Sequence, residues 1–442
     1  VGEVRGRGAR SAFVDLTPLR RSPDYRRLWV GGALSGLGHQ VAVVAVLFQV
    51  WEMTGSAFWV ASIGLTQAVP MIVMGLVGGP VADVLDRRRV ALAATGGQAG
   101  AALALGAQLV LGLYPLPVLL ALIGLQTACS ALGAPARRTF ITRLLPRDLV
   151  AGGIALHMIS FQAAMMVGPA LGGVLLGLAS PAVCYLVNAT ALMISWFTVR
   201  ALPPMPPERA SATAYPHLPA PVSHVGRLRR RTRTALLMLG EGVLQVRRDP
   251  VLRGSFLLDL AATLLAFPVA LFPMVNEELF AGDPRTLGLF LSAIAVGGVS
   301  AGVASGLVTR RARLGVVQLV AVAVWGLALL GFGLAALGGL AWAALATLVV
   351  AGAADTVSVT SRAAMVQLAT PDSHLGRVSS VEHVIGVSGP DIGNARAGLV
   401  AGLTTPAWSA LLGAAACLVV AGWVTRTHPQ VAAFRVGADG VS

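Results

Sequence analysis

The chain is 442 residues long, 56% apolar and 12% charged, with a formal net charge of +14. A charged fraction about half the roughly 25% usual in soluble domains excludes an ordinary water-soluble core. All 33 basic residues are arginine, which excludes a Walker A phosphate loop and a Schiff-base amine, since both need a lysine.

Crossing a hydrocarbon core of ~30 Å takes about 20 apolar residues. Runs of that kind lie at 28–51, 57–80, 89–112, 115–135, 150–178, 181–199, 251–275, 286–308, 314–335, 339–360, 378–402 and 406–425. They predict an all-α integral membrane protein with about twelve transmembrane helices. Its expected divisions are an N-terminal segment 1–27, a six-helix bundle 28–200, a linker 201–250, a second six-helix bundle 251–425 and a tail 426–442. No cleavable signal peptide is expected ahead of the first span.

The charged connections orient these spans. Arginine clusters fall at every second connection and at both ends of the chain. The opposite connections hold Arg285 beside Glu277, Glu278 and Asp283. The positive-inside rule then assigns both termini and the linker to the cytoplasm of a cell (inner) membrane. Arginine spread over membrane-flanking loops points to anionic lipid as partner, and away from nucleic acid.

Between the bundles, residues 201–226 carry seven prolines and predict an extended tether. Leu236, Leu239, Val243 and Val246 then recur at helical spacing, predicting an amphipathic helix on the membrane face. Cys129, Cys184 and Cys417 lie inside apolar spans at no metal-ligand spacing. No metal and no cofactor are expected.

The two halves repeat each other. The stretch from Gly79 to Arg87 and Arg88 returns as Gly302 to Arg310 and Arg311, at an offset of 223; Arg137 returns as Arg362, at 225; Gly168-Pro169-x-x-Gly172 returns as Gly389-Pro390-x-x-Gly393, at 221. Three landmarks in one order predict two copies of one unit, the plan of a transporter whose halves rock around a central site.

The same motifs carry a family likeness. Gly79-x-x-Ala-Asp83-x-x-x-Arg87-Arg88 resembles the loop motif of the major facilitator superfamily, and Gly168-Pro169-x-x-Gly172-Gly173 resembles the motif of its proton-coupled exporters. Stretches at Asp24–Trp29, Glu241–Pro250 and Pro371–Val378 are similar to the branch that holds the enterobactin exporter and its relatives, the transmembrane secretion effectors. The chain departs from the loop motif at Asp86, where the superfamily has glycine. In the fifth span Ala155 and Ala164 stand where the motif has further glycines.

The likeness implies roles for particular residues. Gly79, Asp83, Arg87, Arg88 and Arg137 would form a conformational latch against the eleventh span, with the Asp83 carboxylate at the positive end of a helix dipole. Gly168, Pro169, Gly172 and Gly173 would pack helices closely. Spans 1, 4, 7 and 10 would line a cavity with Gln40, Gln49, Gln126, Phe267 and Phe272, and Arg362 would attract an anionic ligand.

Ionisable groups inside spans cost about 2.5–3.5 kcal/mol each on insertion scales, so they mark candidates for coupling. Asp391, beside Asn394, is the first choice as proton carrier, followed by Asp259 and His39. Glu382 and Arg396 read as structural, and Asp355 shares a helix face with Arg362. The sequence therefore predicts a monomeric secondary exporter, not an enzyme, that exchanges protons for a siderophore or similar amphipathic metabolite. A multidrug efflux pump of the same fold, and a membrane-embedded enzyme or receptor, are the alternatives.

Overall fold

The computed structural model describes residues 15–113, 115–206, 237–304 and 313–435, apart from the side chains of Leu76, Asp83, Asp372, Ser373 and Val387. Among the described residues, twelve long helical segments cross the bundle. The first six are α1 (Pro23–Thr54), α2 (Ala57–Val84), α3 (Arg87–Val110), α4 (Leu116–Arg138), α5 (Val150–Leu178) and α6 (Pro181–Arg200). The second six are α7 (Pro250–Phe280), α8 (Pro284–Val303), α9 (Leu314–Leu337), α10 (Ala341–Ala369), α11 (Asp372–Leu403) and α12 (Pro406–Thr427). Eleven are long and apolar enough to span a membrane. The exception is α11, which carries Arg377, Glu382, Asp391 and Arg396; its 32 residues reach ~48 Å, enough to cross.

Local chemistry fixes where these helices start. Ser22 accepts from the Tyr25 N–H at 3.1 Å, with Pro23 in the first turn of α1. Asp249 accepts from Val251 and Leu252 N–H at 2.8 and 3.0 Å, Asp283 from Arg285 at 2.9 Å and Thr405 from Trp408 at 3.2 Å. Each side chain satisfies a donor that the first turn leaves open. Gly55, at φ +52°, ends α1 in the left-handed conformation that favours glycine.

Within the first half α1 packs on α5 and α6, α2 on α4, and α3 on α4 and α6. In the second half α8 packs on α10, and α9 on α10 and α12. The halves meet through α2 with α11 and through α5 with α8, two contacts that the repeat relates to each other. This is the major facilitator arrangement of two six-helix repeats.

Three sequence expectations change. The seventh span is not one helix: α7 runs as an α-helix to Leu260, a π-turn over Ala261–Leu265, a 3-10 turn over Val269–Leu271 and a second α-helix from Phe272. Pro268 and Pro273 each remove a backbone donor, which a hydropathy scan does not register. Residues 205–206, expected within the tether, are bound to the first half. Met205 donates its N–H to Asp86 Oδ2 and accepts from the Arg87 N–H, both at 3.0 Å, and Arg143 donates to the Pro206 carbonyl at 2.9 Å. Asp86, the departure from the loop motif, thus caps α3 and holds this strand of chain. Residues 207–236, including Leu236 of the predicted amphipathic helix, lie outside the described residues.

The helix over 237–248 docks on protein. Leu239 and Val246 pack with Leu252, Phe256, Val366, Val378 and Val381 from α7, α10 and α11, and Val243 faces outward. Glu241 pairs with Arg377 at 3.0 Å.

Candidate functional site

The odd-numbered helices start at the end of the bundle that carries both chain termini. Away from that end the halves are pressed together. Gly64 of α2 lies against the Asp391 backbone, and Gly398 of α11 against Ala57 and Ala61. A Cβ on Gly173 of α5 would stand 2.8 Å from the carbonyl oxygens of Pro284 and Arg285, and Gly288 of α8 sits on the Pro169 carbonyl. The glycines here are needed for backbone approach across the two halves. The expected packing motif therefore faces two ways: Gly168 and Gly172 meet Gln40 and Val41 of α1, while Pro169 and Gly173 meet α8.

Toward the termini some glycines have no such neighbour. Gly75 and Gly79 of α2 and Gly376 of α11 border open space. Arg138 and His383 bridge the halves there at 3.5 Å.

Between the sealed end and the open one lies a cavity of about 510 Å³. Its wall comes from α1, α2, α3, α4 and α5 of the first half and from α7 and α11 of the second. His39, Gln67, Gln98, Gln126, Asp391 and Asn394 supply the polar groups, together with Thr127 and Ser130; the rest is aliphatic, with Met71 and Met165. A mostly apolar pocket with a few hydrogen-bonding groups suits an amphipathic ligand.

The break in α7 is part of this wall. Val269 and Ala270 face the cavity, and the Ala270 N–H donates to Asn394 Oδ1 at 3.0 Å. Irregular backbone inside a membrane protein is tolerated where it lines a cavity and finds a side-chain partner. The Asn394 amide oxygen is therefore engaged with α7.

The structure brings together His39, Gln126 and Asp391, all expected at a site, and adds Gln67, Gln98 and Met71, which sequence reading did not single out. Their signal was present: amides on otherwise apolar spans, on helices taken to lie behind the cavity. Gln40 turns to Met165 of α5. Gln49 is buried and accepts from Tyr185 Oη at 2.6 Å, nearer the sealed end. Phe272 sits in an aromatic cluster with Phe290 and Phe332 at centroid distances of 5.2 and 6.1 Å, and Phe267 stacks on Trp325 of α9 at 6.2 Å. Both rings thus turn into the second half, because the break in α7 presents backbone to the cavity instead.

Two other candidates prove to be one cluster. Arg362 of α10 forms ion pairs with Asp259 of α7 and, at 3.4 Å, with Glu382 of α11. Arg362 and Asp259 are 3% and 4% exposed, and neither borders the cavity. The π-turn begins two residues after Asp259, and Thr263 within it donates to the Asp259 carbonyl at 2.8 Å.

Of the latch residues, Arg137 folds back along α4, donating to the Ser130 carbonyl at 2.9 Å and to Thr95 at 3.5 Å. Arg88 donates to the Val199 carbonyl at 3.4 Å and to that of Arg200 at the end of α6. The Asp83 side chain lies outside the described residues, on the last turn of α2.

A family profile described as transmembrane secretion effector matches residues 13–434. The enterobactin exporter of Shigella boydii serotype 4 (strain Sb227) is 28% identical over 408 residues, covering 90% of each chain. That of Shigella flexneri is 29% identical over 406 residues, with the same coverage. Among solved structures, the nucleoside transporter NupG (D323A mutant) superposes with a TM-score of 0.71 at 13% identity, over 91% of this chain and 99% of that one. A D-xylose–proton symporter gives 0.65 at 13%, over 93% and 99%. At such identities these structures speak for the fold alone.

Proposed function

We propose that this chain, which belongs to the transmembrane secretion effector family, is a secondary exporter that moves an amphipathic small molecule outward in exchange for protons. The observation that carries the reading is the cavity between the two repeats, sealed at one end, open at the other and walled by the membrane-embedded carboxylate of Asp391. A site at the repeat interface with access from one side is what alternating access requires. The chain has no lysine for a phosphate loop, so an ion gradient supplies the work. Asp391 takes a proton when the cavity faces outward and releases it inward, and cargo moves the other way. The chain works as a monomer.

The cargo is a siderophore or a comparable secreted metabolite. Support comes from the relatives, which are named as enterobactin exporters. Deleting the gene is expected to leave siderophore inside the cell under iron starvation, read by chromatography of cell extracts. Unchanged secretion would favour the second reading, a multidrug efflux pump. The adaptable Met71 and Met165 side chains on the wall favour that second reading in one respect, because they accommodate varied ligands.

Orientation follows from the arginines, with the termini and linker in the cytoplasm and the sealed end outside. In a cysteine-free background, Gly282→Cys should label from outside intact cells and Ala220→Cys should not. The reverse pattern would invert the exporter.

Asp83 is the latch at the cytoplasmic end. Its position on the last turn of α2, facing the start of α11 in the family pattern, is the motivation. Asp83→Asn should reduce transport by about tenfold, a cost of ~1.4 kcal/mol, and raise the cytoplasm-open population in distance measurements between spin labels on the two halves. Wild-type transport in that variant would remove the latch.

A further inference from the structure

A second cavity, of about 490 Å³, lies at the sealed end and belongs wholly to the first half. It forms where three helices end or begin. Gln49, Glu52 and Met53 come from the last turns of α1, Leu109 and Val110 from the end of α3, and Ser180, Pro181 and Ala182 from the start of α6. None of these residues borders the cavity between the halves. Val110, Leu111 and Leu178, at or beside this opening in sequence, are 72%, 69% and 70% exposed. Apolar side chains so exposed at a helix end face lipid, at the level where acyl chains meet headgroups.

The wall offers polar groups that the protein leaves unused. Gln49 is 2% exposed; its Oε1 accepts from Tyr185, while its Nε2 has no partner. A buried amide N–H without an acceptor is costly, so this one calls for a ligand oxygen. Glu52, one turn nearer the end of α1, is exposed and makes no hydrogen bond or ion pair among the described residues. The Ser180 side chain caps none of the first-turn N–H groups of α6. Pro181 has no N–H, so Ala182 presents the first backbone donor at the positive end of that helix.

We propose that this cavity binds a phospholipid whose headgroup carries a primary ammonium, a phosphoethanolamine lipid of the leaflet at the sealed end. The ammonium donates to the Glu52 carboxylate, and the phosphate accepts from Ser180 Oγ and the Ala182 N–H. Gln49 Nε2 belongs to a residue three positions and ~4.5 Å deeper than Glu52, and donates to an ester oxygen below the phosphate. Met53, Leu109 and Pro181 cover the first methylenes. Acid, helix N-terminus, amide and apolar wall thus follow the order of groups along such a lipid. An anionic headgroup would meet Glu52 with no arginine in the wall to offset it. A quaternary ammonium would find no aromatic ring there. A soluble amine would leave the apolar wall and rim uncovered. The bound lipid fastens the ends of α1, α3 and α6, and α1 also walls the cavity between the halves.

Native mass spectrometry of the purified full-length chain tests this with phosphatidylethanolamine, phosphatidylcholine and phosphatidylglycerol competing at equal concentration. Wild type should retain phosphatidylethanolamine over either competitor by about tenfold, the scale of one charge-assisted hydrogen bond. Glu52→Gln should abolish that preference, and Glu52→Lys should transfer it to phosphatidylglycerol. A preference that inverts cannot come from misfolding, and both variants should melt like the wild type in lipid-free detergent. Equal retention of the three lipids by the wild type, or a phosphatidylethanolamine preference that survives Glu52→Gln, would overturn the site. Displacement of the lipid by an equal concentration of free phosphoethanolamine would give the cavity to a soluble ligand and overturn the lipid.

Discussion

Asp391→Asn is expected to abolish proton-driven efflux from everted vesicles while cargo still binds. The fall in rate should exceed about a hundredfold, a barrier increase of ~2.7 kcal/mol. Asp391 is on the cavity wall where α2, α7 and α11 converge: Gly64 lies against its backbone, and Asn394, three residues on, holds the broken end of α7. A proton bound there sits at the joint between the two halves, where its arrival or departure can bias which end opens. Asparagine keeps the size and polarity of the protonated acid but can neither release nor regain a proton. Asp391→Glu should therefore recover part of the transport. Efflux that survives both collapse of the gradient and loss of this carboxylate would end the mechanism.

The spans and their repeat were legible because a membrane imposes one period and one length on every crossing segment, and arginine marks alternate ends. The caps at Ser22, Asp249, Asp283 and Thr405 were not singled out, and the first helix starts at Pro23, ahead of the expected 28, because hydropathy alone does not register a polar side chain that ends in a cap. Non-local features were not legible. Hydropathy treats 251–275 as uniform, whereas Pro268 and Pro273 break α7 and turn Phe267 and Phe272 away from the cavity. Amides such as Gln67 and Gln98 look like packing contacts until α2 and α3 are seen at the wall. Arg362 and Asp259 are 103 residues apart in sequence, and no spacing rule joins them; only the packing of α7, α10 and α11 makes them a pair.

That pairing changes what Arg362 is expected to do. As a cavity residue drawing in anionic cargo, Arg362→Ala would weaken binding and leave the fold intact. As the shared partner of Asp259 and Glu382, it holds two carboxylates that have little access to water. Removing one member of a buried charge cluster typically costs about 3–5 kcal/mol, because the charges left behind have neither solvent nor partner. Arg362→Ala should therefore lower the thermal stability of the detergent-solubilised protein sharply, whether or not cargo is present. Neutralising the abandoned acids should then return much of the loss. In an Arg362→Ala, Asp259→Asn, Glu382→Gln variant the melting temperature should rise back toward that of the wild type, a coupling beyond the additivity expected of distant sites. The cluster ties α7 just before its π-turn to α10 and α11, so the rescued protein should melt normally and transport poorly. An Arg362→Ala protein that melts like the wild type but binds cargo weakly would return the arginine to the cavity.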